Sequence, residues 1–230
     1  MMTMEPTMEP QPSFEPRQQP ETVLLIGGTC LTTLNWQGWI SRYTARGYSV
    51  IATAAPLPPS TDCLGPRDWA QVASVLTYYE RLLVTIPQPP ILIGHCFGGV
   101  IAQLLLDRGF GAAGIALNPP RIPERRTRVL GIGARPHRGA EPLAVDYRSS
   151  SRAPLLLVGG GVDRRVPSES VEATARRYWK SEAVTSYLEY PEGCHHTVRA
   201  PGWETVADDV LDWAELYTHP ERLTSADLWR

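Results

Sequence analysis

The sequence predicts an α/β protein: a mostly parallel sheet with helices on both faces and a short lid insertion. Three observations carry this expectation. From Val23 onward, short apolar runs alternate with longer amphipathic stretches, the rhythm of strand–helix–strand units. Two of the runs, Val23–Ile26 and Ile91–Ile93, are apolar throughout, as in strands covered from both sides. Three runs, ending at Ile26, Ile93 and Val158, open into glycine-rich loops. In sheets of this kind ligands bind beyond the carboxyl ends of the strands.

Each element has its own reason. Residues 1–20 are rich in Pro, Gln, Glu and Met, repeat "TMEP", and show no periodicity. They read as a disordered tail, with one domain over residues 21–230. Val23–Ile26 is a strand stopped by Gly27-Gly28. Asn35 to Arg46 places Trp36, Trp39, Ile40 and Tyr43 at helical spacing. Tyr48–Ala52 is a strand before a Pro-rich loop at 56–66. Arg67–Ile86 is a long amphipathic helix. Ile91–Gly94 is a strand and Val100–Arg108 the helix after it. Ala112–Leu117 is a strand stopped by Pro119-Pro120. Leu155–Val158 is a strand, Ser168–Lys180 a helix with a polar start, and Thr185–Tyr190 a strand with period-two alternation. Pro201–Tyr217 is a helix with Pro at its first turn.

Composition bounds the function. Hydrophobic residues are 43%, charged residues 20%, and the net charge is −2. The whole chain therefore has no electrostatic pull toward nucleic acid or a membrane surface. No apolar run reaches the roughly 20 residues that span a bilayer, and the N-terminus lacks a basic-then-apolar signal pattern, so a cytoplasmic protein is expected. Cys30, Cys63, Cys96 and Cys194 form no CxxC pair. Neither metal nor cofactor is expected, and the cysteines read as free thiols. Residues 120–152 break the rhythm: eight arginines stand against Glu124, Glu141 and Asp146, a local charge of +5. This segment reads as the short lid.

The chemistry centres on "ILIGHCFGGVIAQLLLDRG", residues 91–109. Gly94-x-Cys96-x-Gly98 after a strand and before a helix has the spacing of a nucleophile elbow. The turn is sharp, and bulky neighbours would collide with the adjoining strand and helix. A thiol at a helix N-terminus is favoured as thiolate. A glycine-rich turn around a structural cysteine would share this pattern, so partners decide. A base can come from His95, His137, His195, His196 or His219, and the pair 195–196 follows the last strand. An orienting carboxylate is available at Asp163, in "LLLVGGGVDRRVP". Oxyanion donors are the backbone N–H of Phe97, which follows the nucleophile, and that of Thr29 in the loop "IGGTC".

Together these residues resemble the α/β-hydrolase superfamily, from about Val23 to Tyr217. "PPILIGHCFGGVIAQLLLDRGFGAAGIALNP" is similar to its elbow region with Cys in place of Ser. "APLLLVGGGVDRRVP" is similar to its acid-bearing strand, and "GCHHTVRAPGWETVADDVLDW" to its histidine loop and final helix. The resemblance implies the α/β-hydrolase fold and a triad of Cys96, Asp163 and His195. It selects His195 because that residue lies eight positions before Trp203. His196 stands where an aromatic or apolar residue is usual. The His-Gly usual in the oxyanion loop is Gly27-Gly28, and the short lid implies an open site. Cys30 and Cys194 would both lie near Cys96.

Two enzymatic expectations follow. The first is a Cys-His-Asp hydrolase or acyltransferase acting on an ester, lactone or thioester of a small molecule in bacterial specialised metabolism. The second rests on a resemblance to acetate-eliminating lyases of tetronate antibiotic biosynthesis. An arginine-rich lid would suit an anionic small molecule or an acidic acyl carrier protein. A third reading, a binding protein that kept the scaffold, fits poorly with an intact Asp163 and His195.

Overall fold

The computed structural model describes residues 21–28, 32–53, 56, 69–122 and 145–219. The proposed tail, the Pro-rich loop, Thr29, Cys30, Cys63, His137 and most of the proposed lid lie outside the described residues.

Six strands form one sheet: β1 Thr22–Ile26, β2 Ser49–Thr53, β3 Ile91–His95, β4 Ala113–Leu117, β5 Leu155–Gly160 and β6 Thr185–Tyr190. Every pairing is parallel, and the spatial order is β2-β1-β3-β4-β5-β6. The chain runs outward from β1 to β2, returns past β1, and continues outward through β3. The reversal falls between β1 and β3, where Ile26 is in register with Gly94. A crevice at such a switch point is where open α/β sheets bind ligands.

The helices are α1 Gln37–Ala45, α2 Trp69–Leu83, α3 Phe97–Asp107, α4 Ser168–Tyr178 and α5 Trp203–Thr218. The two-residue pleat sends alternate side chains to opposite faces. Leu24, Ile26 and Leu92 pack with α2, α3 and α4 through Leu76, Ile101 and Val171. Val23, Leu25, Ile91 and Ile93 pack with α1 and α5 through Trp39, Tyr43, Val210 and Leu211. Both faces are thus apolar, and β1, β3, β4 and β5 read as unbroken hydrophobic runs for that reason.

Several boundaries differ from expectation for local reasons. The segment expected as a helix from Asn35 divides into a 3-10 turn over Thr33–Trp36 and then α1. α3 begins at Phe97, not Val100, so Gly98-Gly99 are helical despite their poor propensity. β5 continues to Gly160. Pro201 is not in the first turn of α5: Gly202, with φ of 85°, makes the left-handed step and Trp203 starts the helix.

Candidate active site

The turn at Cys96 is set by close packing between backbones. A Cβ at Gly94 would overlap the Gly98 carbonyl, and a Cβ at Gly98 would overlap the Ile26 carbonyl. These two positions accept only glycine, and the tight approach forces Cys96 to φ 55° and ψ −120°. For a residue with a Cβ this is a strained conformation, costing of order 1–3 kcal/mol. Neighbours hold it there: the Cys96 N–H donates to the Leu117 carbonyl at 2.8 Å, and its own carbonyl accepts from Gly99 N–H at 2.9 Å. Cys96 is thereby placed at the N-terminus of α3, beside the end of β1. A Cβ built on Gly28 would lie 3.5 Å from the Cys96 Cβ and 3.4 Å from the Phe97 nitrogen. Gly28 therefore leaves room beside the Phe97 N–H, the described oxyanion candidate. The other, Thr29, lies outside the described residues.

Asp163 follows β5 and His195 follows β6. The parallel pairing of those strands brings Gly160 opposite Tyr190, and two bonds tie the loops beyond them: Gly161 N–H to Tyr190 O at 2.8 Å and Val162 N–H to Gly193 O at 3.0 Å. The result is a His195 Nδ1 to Asp163 Oδ2 distance of 2.8 Å. The carboxylate accepts there, so Nδ1 carries the hydrogen and Nε2 is the basic nitrogen. Oδ1 of Asp163 accepts from the backbone N–H groups of Arg165 at 2.7 Å and Val166 at 3.0 Å. Burial alone would raise the Asp163 pKa. The bond to His195 and the two backbone donors outweigh it and hold the carboxyl at about 2. Asp163 stays ionised at neutral pH.

Two further side chains complete the arrangement: His95, which the sequence offers only as a candidate base, and Asn118, which it does not single out. His95, the last residue of β3, is fully buried, and its Nε2 donates to the His195 carbonyl at 2.6 Å. Their rings are 5.2 Å apart. Asn118, just after β4, donates from Nδ2 to Asp163 Oδ2 at 2.7 Å. Asn118 has φ of 48°, a conformation in which Asn is enriched; the sequence shows only an Asn between a strand and two prolines. On the outer side the histidine loop is pinned by Trp39, whose Nε1 donates to the Val198 carbonyl at 2.9 Å. Trp39 also stacks on Trp203, with centroids 6.4 Å apart. His196 lies beside His195, ring centroids 5.7 Å apart.

The expectation of an open site rests on a lid most of which lies outside the described residues; the three candidate side chains themselves are buried. Cys96 is 0% exposed, His195 5% and Asp163 6%. Among the described residues no group of three or more His, Cys, Asp or Glu is arranged to hold a metal ion. Among them, too, no helix is long and apolar enough to cross a membrane.

A strained elbow after a central parallel strand, an acid after the next-but-one strand and a histidine before the last helix define the α/β-hydrolase class of scaffold. The chain belongs to the alpha/beta hydrolase family, whose model matches residues 23–228. The fold is similar to that of a monoacylglycerol lipase from Paleococcus ferrophilus, with TM-score 0.61, 18% identity, and coverage of 86% of this chain and 96% of that one. It is similar also to a putative dienelactone hydrolase from Klebsiella pneumoniae subsp. pneumoniae MGH 78578, with TM-score 0.58, 18% identity, and 89% of each chain covered. A third similar structure is the thioesterase domain from the curacin biosynthetic pathway, with TM-score 0.57, 16% identity, and coverage of 85% and 92%. At these identities the likeness speaks for the fold. No curated protein sequence matches the chain.

Proposed function

We propose that the chain is an acyl-transfer enzyme in which Cys96, His195 and Asp163 act as a triad on an ester, lactone or thioester of a small molecule. The observation that carries this reading is the backbone of Cys96. A cysteine needed only for packing has no use for φ of 55° at the head of a helix, whereas a nucleophile does. The similar lipase, dienelactone hydrolase and thioesterase structures support the same reaction class.

On this reading the reaction runs through a Cys96 thioester. Cys96 Sγ attacks the acyl carbon while His195 Nε2 takes the thiol proton. The tetrahedral oxyanion is held by the Phe97 N–H and, on this reading, by that of Thr29. Collapse breaks the bond to the leaving alcohol or thiol, which receives the proton from His195, and leaves a thioester on Cys96. Water then attacks that thioester, gives its proton to His195, and the acid departs as Cys96 regains its hydrogen. Asp163 holds the Nδ1–H tautomer throughout and stabilises the imidazolium. An acyl group delivered as a carrier thioester would make an acyl carrier protein the partner.

A mechanism-based acylating probe tests the assignment by intact mass. The adduct is expected on Cys96 and absent in Cys96→Ala; labelling that survives that substitution refutes it. An acetylated tetronate separates the lyase alternative. There His195 would take a proton from carbon as the C–O bond to acetate breaks, giving an alkene and no adduct on Cys96. Acetate with an alcohol product is the outcome expected of acyl transfer.

A further inference from the structure

We propose that Asn118 is a positioning residue that shares Oδ2 of Asp163 with His195, so that His195 is less basic than it would be beside an unshared carboxylate. The inference rests on the reading of Cys96, His195 and Asp163 as one triad.

Asn118 is fully buried. Its backbone N–H donates to the Val158 carbonyl at 2.8 Å, which locks it to the end of β5. Its Nδ2 and the His195 Nδ1 approach the same carboxylate oxygen, at 2.7 Å and 2.8 Å. The amide orientation is decided by this contact, because a flipped amide would set its oxygen against a carboxylate. Oδ1 of Asn118 faces the Thr197 hydroxyl at 3.2 Å, and that hydroxyl lies 2.6 Å from the Cys194 carbonyl. One buried amide thus links the ends of β4 and β5 to the loop that carries His195.

The link is not needed to keep the carboxylate in place. Oδ1 of Asp163 is already fixed by two backbone donors. What the Asn118 bond changes is the charge that Oδ2 offers to His195. A second donor on one oxygen weakens its attraction for the first, and this lowers the stabilisation of an imidazolium. Nor does the turn itself need an amide: at φ of 48° a glycine fits without strain. Among the described residues, the ionisable groups against the His195 ring are Asp163 from the β5 loop, His95 from the elbow and His196 from its own loop. Their balance sets whether the histidine waits as imidazole or as imidazolium. A base of moderate strength suits a thiol that must be deprotonated as attack occurs.

Two variants test this. Asn118→Gly removes the amide and accepts the backbone. Asn118→Asp keeps size and tolerates the left-handed conformation while adding charge. The readouts are a 15N NMR titration of His195 and the pH dependence of Cys96 acylation by the probe. The midpoint is expected to rise by about one pH unit in Asn118→Gly, as for the loss of one hydrogen bond to a charged group, and further in Asn118→Asp. A purely structural role would lower the amplitude at every pH and leave the midpoint in place. An unmoved or lowered midpoint overturns the proposal. If Asn118→Gly does not fold, the near-isosteric Asn118→Asp decides by the same criterion. Failure of the triad reading would appear separately, as absence of a Cys96 adduct in the unaltered protein, while the NMR midpoints still report on the sharing of Oδ2.

Discussion

Replacing Asp163 by Asn asks more of this site than the loss of one charge. Oδ1 accepts two backbone N–H groups, so the amide oxygen of the variant must occupy that position. The NH2 group then takes the place of Oδ2 and meets two donors, Asn118 Nδ2 and His195 Nδ1. The histidine can escape by moving its hydrogen to Nε2, which leaves no base facing the substrate. Loss of the tautomer in a triad costs about 10⁴-fold in turnover. The Asn118 amide cannot escape so easily, and a buried donor left without an acceptor costs roughly 1–3 kcal/mol. The two losses can be separated. The double variant Asp163→Asn with Asn118→Asp restores donor to acceptor at positions 118 and 163 and leaves the wrong group facing His195. Stability should recover while activity stays low. The measurements are urea midpoints and steady-state turnover of an activated thioester. Turnover of Asp163→Asn within tenfold of the parent, or a double variant that regains activity together with stability, would refute the reasoning.

Other expectations bear on separate parts of the site. Cys96→Gly relieves the strained φ of 55° and should raise stability by about 1 kcal/mol while abolishing the adduct; a lower urea midpoint would contradict this. Gly28→Ala places a methyl 3.1 Å from the His95 carbonyl oxygen and 3.4 Å from the Phe97 nitrogen, beside the N–H assigned to the oxyanion, and should cost about 10²-fold in kcat, read from steady-state turnover. Trp39→Phe leaves the Val198 carbonyl without its donor and should cost about 1–3 kcal/mol, read from denaturant midpoints. Asp163 is held at about 2, below its ordinary 3.8. Its contribution to stability is complete above the unfolded value and fades as pH falls through the folded one. Acid denaturation curves of Asp163→Asn should therefore be flatter in that window than those of the parent.

The strand–helix order could be read from periodicity because both faces of the sheet are covered and the signal repeats at every strand. The elbow was legible for a similar reason: the spacing of Gly94, Cys96 and Gly98 is a local steric requirement. The parts missed are those whose meaning is tertiary. Asn118 reads in the chain as the end of a strand before two prolines, and nothing local announces that its amide reaches Asp163. His95 reads as one of five candidate bases, and its bond to a carbonyl 100 residues away has no sequence signature. The start of α5 was misplaced because Pro201 competes with Gly202 as a start signal, and the left-handed glycine decides the geometry.

The bond from His95 to the His195 carbonyl has a mechanical consequence. His95 grips the main chain of His195, so the end of β3 carries Cys96 covalently and the proposed base by a short hydrogen bond. The bond ties the loop holding the imidazole to the strand that presents the thiol. Registration between the two groups therefore rests on the central strand and not on the edges of the sheet, and a chain with only the tip of that latch removed would lose alignment before it lost its fold.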